Sequence, residues 1–189
     1  MNLKINSTNL TTIKKSFEDI AEQILNYYIL DINENKYRIT NIEFYYYNKN
    51  IHQDINSHSL KYQRAKERQL LSAKWYLHKI SINENFNYKG IDYTFGDGEN
   101  YGGILIKEVM ALNKDRTIFT QSKFIDELIS ILAPNTKEEF LKMIEQDNKI
   151  NFKYKENIPK YKILNWTRKG LTKKDKFSNM GYAFKVEDL

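Results

Sequence analysis

The sequence predicts an α+β fold built as one domain over residues 1–189. Three observations lead there. The length of 189 residues suits one ordinary domain and is enough to bury a sizeable core. Hydrophobic residues make up 41% and aromatics 14%, with two prolines and seven glycines, which is too apolar for disorder and too irregular for a fibre. Runs rich in β-branched and aromatic residues are interspersed with segments of helical periodicity, the order expected of an α+β domain.

Across residues 7–28, Ile13, Phe17, Ile20, Ala21, Ile24, Leu25 and Tyr28 recur at helical spacing, giving an amphipathic helix with a core-facing stripe. A turn at residues 31–35 leads into residues 37–47, whose β-branched and aromatic content predicts a strand carrying Glu43. Polar residues 48–59 form a loop. Residues 75–80 and 88–95 predict short strands, and the glycine-rich turn 96–103 leads into a buried strand at 104–109. Helices are expected at 123–133 and 136–146, the second opened by a capping box, Thr136-Lys137-Glu138-Glu139, after Pro134. A last strand is expected at 182–186.

The chain has no cysteine, which excludes disulfides, thiolate zinc sites and cysteine nucleophiles and suits a reducing, cytoplasmic setting. The first residues, Met1-Asn2-Leu3-Lys4-Ile5-Asn6, carry no apolar signal core, and no uncharged apolar run approaches the roughly 20 residues of a membrane span. No membrane partner is expected. The net charge of +6 is unevenly placed. Residues 151–189 hold ten Lys/Arg against four Asp/Glu, whereas residues 1–150 hold twenty of each. A second basic stretch, 61–79, has six cations against Glu67 alone, interleaved with Tyr62, Trp75 and Tyr76. Cations neutralise phosphates and flat rings stack on bases, so nucleic acid is one expected partner. AT-rich coding, which favours Lys, Asn and Ile, produces the same composition.

The ionisable groups used in acid–base chemistry gather in one stretch: Glu43, then Asp54-Ile55-Asn56-Ser57-His58. A carboxylate held among aromatic rings is a stronger base than one in water, because partial desolvation penalises its charged form. From the residues alone, Glu43 is equally compatible with being the polar partner of a cation on an amphipathic strand, His52 and His58 with ordinary loop histidines, and Tyr45-Tyr46-Tyr47 with strand packing. The glycines at 96, 98, 102 and 103 make turns rather than a phosphate loop, since no Gly-Lys-Ser/Thr follows.

In this order the pattern resembles the alkyladenine (3-methylpurine) DNA glycosylases. A helix running to Leu30 precedes Ile42-Glu43-Phe44-Tyr45, then Asp54 to Ser59, then Trp75-Tyr76, then Asp92-Tyr93-Thr94-Phe95-Gly96, then Ile104-Leu105-Ile106-Lys107. The closing segments, Thr167-Arg168-Lys169-Gly170-Leu171 and Tyr182-Ala183-Phe184-Lys185-Val186, are similar to the family's last strand pair. The chain departs from the family at Lys61-Tyr62-Gln63-Arg64, at Lys107 where the family has arginine, and at the wedge hairpin, represented here by Phe95-Gly96 and a loop ending at Tyr101.

The resemblance implies a curved, mostly antiparallel sheet flanked by helices and a monofunctional DNA N-glycosylase that removes an alkylated or deaminated purine to leave an abasic site. It implies a nucleotide flipped out of single-stranded or duplex DNA, since the glycosidic bond is inaccessible inside the stack. Glu43 would activate water, Tyr45 and Phe95 would sandwich the base, and His58 would hydrogen-bond the base or its phosphate. Tyr101 would fill the gap in the stack, with Lys107, Arg168 and Lys169 on the DNA backbone. No metal or organic cofactor is implied, and a monomer is expected. Alternatives are an imine-forming Lys107, a non-catalytic nucleic-acid binder on the same scaffold, and a glycosidic-bond hydrolase acting on RNA or nucleosides.

Overall fold

The computed structural model describes residues 1–79, 88–113, 115–147, 149–171 and 175–187; Ile80, at the end of a predicted strand, lies outside them. It is a single-domain α+β structure: a curled antiparallel sheet with four helices among the described residues. The first helix, α1 (Leu10–Tyr27), starts where Asn9 and Thr12 bond reciprocally, the Asn9 side chain accepting from the Thr12 amide at 3.0 Å and the Thr12 hydroxyl accepting from the Asn9 amide at 3.1 Å. Its buried stripe of Ile13, Phe17, Ile20, Ala21, Ile24 and Leu25 is the periodicity seen in the sequence.

The chain becomes extended at Tyr28 and forms β1 (Tyr28–Ile32), then reverses through Asn33 and Glu34, both at positive φ, 45° and 68°. Such a two-residue turn matches the twist of a hairpin, and it pairs β1 with β2 (Asn35–Asn48). The sequence located the turn but not the strand before it, because Tyr28 and Leu30 continue the helical run of apolar residues. The 14-residue β2 is the spine of the sheet. It is followed by a two-residue strand, β3 (His52–Gln53), a 3-10 turn at His58–Leu60, α2 (Gln63–Gln69), β4 (Ser72–Lys79), β5 (Tyr88–Phe95) and β6 (Tyr101–Ala111). After β7 (Ile118–Thr120) come α3 (Gln121–Leu132), α4 (Lys137–Glu145), β8 (Asn151–Tyr154), β9 (Ile163–Trp166) and β10 (Ala183–Val186). Thr136 caps α4 by accepting from the Glu139 amide at 3.1 Å, but Glu139 turns to the Asn135 amide at 2.7 Å instead of completing the predicted box.

The strand order is β4-β5-β6-β2-β1-β8, and β10 adds to the middle of β2 with Ala183 opposite Glu43. Ile42, Phe44 and Tyr46 of β2 face α1, where Phe17 stacks on Phe44 at 4.6 Å between ring centroids and meets Tyr46 edge-on at 6.1 Å. Alternation sends Glu43 and Tyr45 to the opposite face. The loop 54–62 and α2 lie over that face.

Candidate functional site

Residues paired directly across an antiparallel ladder share a face of the sheet. Glu43 pairs with Leu105, Leu105 with Asp92, and Asp92 with Tyr76, so β2, β6, β5 and β4 present one row of side chains. Two residues along each strand stand Tyr45, Lys107 and His78 on the same face. Opposite Tyr45 is Gly103, and a β-carbon there would lie 2.6 Å from Gln69 Nε2. The glycine is what lets α2 come down onto the sheet at this point.

Glu43 is 3% exposed, and its carboxylate is held on three sides. Oε2 accepts from the Tyr45 hydroxyl at 2.8 Å, while Oε1 lies 3.7 Å from Lys107 Nζ and 3.4 Å from the backbone amide of Lys169. Burial first, and the Glu43 charge second, raise the Tyr45 phenol well above its ordinary range, so the hydroxyl stays protonated and remains a donor to Glu43. Tyr45, Lys107 and Lys169 are also walls of a cavity of about 380 Å³, the other sides being supplied by His58, Tyr62, Gln69, His78 and Asp92. Ligand pockets run from roughly 300 to 1,000 Å³, so this one is at the small end.

The far wall carries two imidazoles. The His58 and His78 ring centroids are 4.2 Å apart, and Tyr62 meets His58 edge-on at 5.6 Å. Burial, with the neighbouring His78 second, pushes the His58 imidazole down to about 4, so it is neutral at physiological pH. Gln69 fastens this wall: its Oε1 accepts from the Ser59 amide at 3.2 Å and its Nε2 donates to Asp92 Oδ2 at 3.0 Å.

Of the residues singled out in the sequence, Tyr45, His58, Lys107 and Lys169 line the cavity, and Glu43 lies behind this wall, bonded to Tyr45 and to the Lys169 amide and paired with Lys107, without lining it. Three are elsewhere. Phe95 is 3% exposed and packs in the core beside Phe17, Phe44 and Tyr46. Asp92 faces the cavity, so Phe95, three positions further along β5, points to the other side of the sheet. It therefore does not sandwich a base. Arg168 has a side chain with 0% exposure, and its Nη1 lies 2.5 Å from Asp54 Oδ2 and donates to the Phe44 carbonyl at 3.1 Å. Its guanidinium also stacks on the Tyr45 ring at 4.6 Å, so it is an internal pin and not a backbone-binding cation. Tyr101 stands outside the cavity, 6.2 Å from Tyr47 between ring centroids, in a groove with Lys61, Tyr62 and Lys66. Tyr62, 52% exposed, belongs to both the groove and the cavity.

Gln69, His78 and Asp92 were not among the site residues expected from the sequence. Asp92 is an acid in the otherwise uncharged run Gly90-Ile91-Asp92-Tyr93-Thr94, and His78 falls on the same face of the neighbouring strand; pairing those two strands would have found both.

No protein-family model matches the chain. Its sequence is similar to an uncharacterized protein, L759, of Acanthamoeba polyphaga mimivirus, with 28% identity over 181 residues covering 85% of this chain and 80% of that protein. Among the described residues no helix is long and apolar enough to cross a membrane.

Proposed function

We propose that this protein is a DNA N-glycosylase that hydrolyses the bond between a modified purine and its sugar. The observation that carries the proposal is a buried carboxylate, Glu43, held behind a base-sized cavity by Tyr45, Lys107 and Lys169, all of which line it. The sequence resemblance to the alkyladenine glycosylases supports the same assignment.

In this mechanism the flipped base enters between Tyr45 on one side and His58 with Tyr62 on the other. A carboxylate has about four acceptor sites, so Glu43 retains capacity for a water beyond its bonds to Tyr45 and Lys169. Glu43 takes a proton from that water as the oxygen bonds to the anomeric carbon. The bond from that carbon to the purine nitrogen breaks and the base leaves with its electron pair. A cationic alkylated purine departs neutral and Glu43 returns its proton to solvent, whereas a deaminated or etheno base takes up a proton from solvent in exchange for the one that Glu43 releases. The carboxylate charge also favours the oxocarbenium-like transition state. Lys107 and Lys169 meet the flanking phosphates, and the Tyr62–Tyr101 groove with Lys61 and Lys66 receives the adjoining strand.

The test is base release from oligonucleotides carrying 3-methyladenine, hypoxanthine or ethenoadenine. The wild-type protein should yield abasic sites from at least one. Glu43→Gln should slow release about a hundredfold to ten-thousandfold, the range of general-base help, with DNA affinity retained. Absence of release from all three substrates would overturn the proposal. The Glu43–Lys107 ion pair favours a second reading, a non-catalytic nucleic-acid binder in which Glu43 is structural. It predicts salt-dependent DNA binding, indifferent to Glu43→Gln, and no abasic product.

A further inference from the structure

We infer that His58, His78 and Asp92 form a binding site for a first-row divalent metal ion, with Zn²⁺ the first candidate. The site shares the cavity, and His58, with the pocket assigned to the base, but metal binding by these three residues does not require Glu43 to act as a base. One ligand-capable atom from each of the three residues lies within 4.8 Å of the other two. His58 Nδ1, His78 Nε2 and Asp92 Oδ1 are all shielded from solvent and have no hydrogen-bond partner. His78 Nε2 lies 2.8 Å from Asp92 Oδ2, but not along a direction that makes a hydrogen bond. His78 is 8% exposed and Asp92 1%.

Leaving buried polar atoms unpaired is costly, so three of them on side chains gathered this closely call for a partner. Imidazole nitrogens and a carboxylate oxygen can each offer a lone pair, and a cation is a partner that accepts from all three. Two histidines and one carboxylate make a common donor set for Zn²⁺ and related ions, leaving coordination positions open. The support behind the set is that of a metal site as well: Gln69 donates to the Asp92 carboxylate and, through Ser59, holds the turn bearing His58. Coordination through Nδ1 leaves His58 Nε2 with a proton to offer a ligand in the cavity.

The chain simplifies the test, because it has three histidines and no cysteine. The third, His52, is fully buried with both ring nitrogens engaged, by the Tyr46 carbonyl and the Tyr182 hydroxyl, each at 2.9 Å. The full chain, stripped with chelator and then dialysed against Zn²⁺, should retain about one ion by elemental analysis. Asp92→Asn and His78→Asn should weaken affinity by at least the roughly 10–100-fold that loss of an outer supporting group costs, and Gln69→Leu by about that range. Because a variant that misfolds would also lose metal, wild-type protein loaded with Co²⁺ provides a second readout, visible d–d absorption bands of the ion that differ in position and intensity from those of aqueous Co²⁺. Failure of the wild type to retain Zn²⁺ or develop those bands overturns the site, and so does affinity unchanged in folded Asp92→Asn and His78→Asn proteins.

Discussion

Arg168 shows how strongly environment decides the role of a single residue. In the sequence it is one cation of a basic tail; in the fold its guanidinium reaches Asp54, the carbonyls of Phe44 and Phe177, and the ring of Tyr45. Both members of the pair are fully buried, and removing one partner of such a pair costs about 3–5 kcal/mol because the other charge is left unpaired. Arg168→Ala should therefore lower the free energy of unfolding in urea by about that amount. A phosphate-binding arginine would behave oppositely, losing DNA affinity while stability stayed constant. The same distinction explains which parts of the site were legible. Glu43, Tyr45, His58 and Lys107 were recognisable because the chemistry resides in the residue type. Phe95 misled because the face a strand residue occupies follows from its register with neighbours, which the sequence does not display, and Asp92 and His78 went unassigned for the same reason.

Among the elements, α1 and β2 were legible because each repeats its pattern over many residues, whereas α2 was not. Its seven residues, Gln63 to Gln69, bury only Ala65 and Gln69, too few for an apolar stripe. Tertiary contacts hold it instead. Arg64 and Arg68 pair with the buried carboxylate of Glu145 on α4, which also accepts from the Leu77 amide at 2.9 Å. Two glycines let α2 approach the sheet. A β-carbon on Gly96 would lie 2.1 Å from the Gln69 carbonyl and 2.5 Å from the Leu70 backbone; one on Gly103 would meet the Gln69 side-chain amide at 2.6 Å. Backbone cannot yield as a side chain can. Both alanine substitutions should overpack the junction, at about 1–3 kcal/mol for Gly103→Ala and more for Gly96→Ala. Thermal unfolding of the two variants, ranked against wild type, checks the order, and equal melting temperatures would show that α2 moves freely.

For the whole molecule, the basic tail is a working part of the sheet rather than an appendage. Strands β9 and β10 pair with each other, β10 joins β2, and Tyr182 carries a contact back to the middle of the chain. That contact is with His52. Its Nδ1 donates to the Tyr46 carbonyl, which fixes Nε2 as the acceptor for the Tyr182 hydroxyl. Burial is the largest influence on His52 and lowers its proton affinity; the Tyr46 carbonyl and Asp54 oppose this, and Arg168 adds to it. The sign of the consequence follows from linkage. The folded protein binds this proton less readily than the unfolded chain, whose histidine titrates near 6.5. Above that pH neither state is protonated and stability is intact. As pH falls below 6.5 the unfolded state takes up a proton that the folded state refuses, and stability declines at up to about 1.4 kcal/mol per pH unit for this group. His58 acts in the same direction and cancels when two proteins sharing it are compared. A His52→Asn protein, denatured in urea with chelator present, should be less stable than wild type at pH 7.5 yet lose stability more slowly from pH 6.5 to 5. Parallel curves would mean that His52 binds its proton equally well in both states, and that the link between the tail and β2 does not depend on a neutral imidazole.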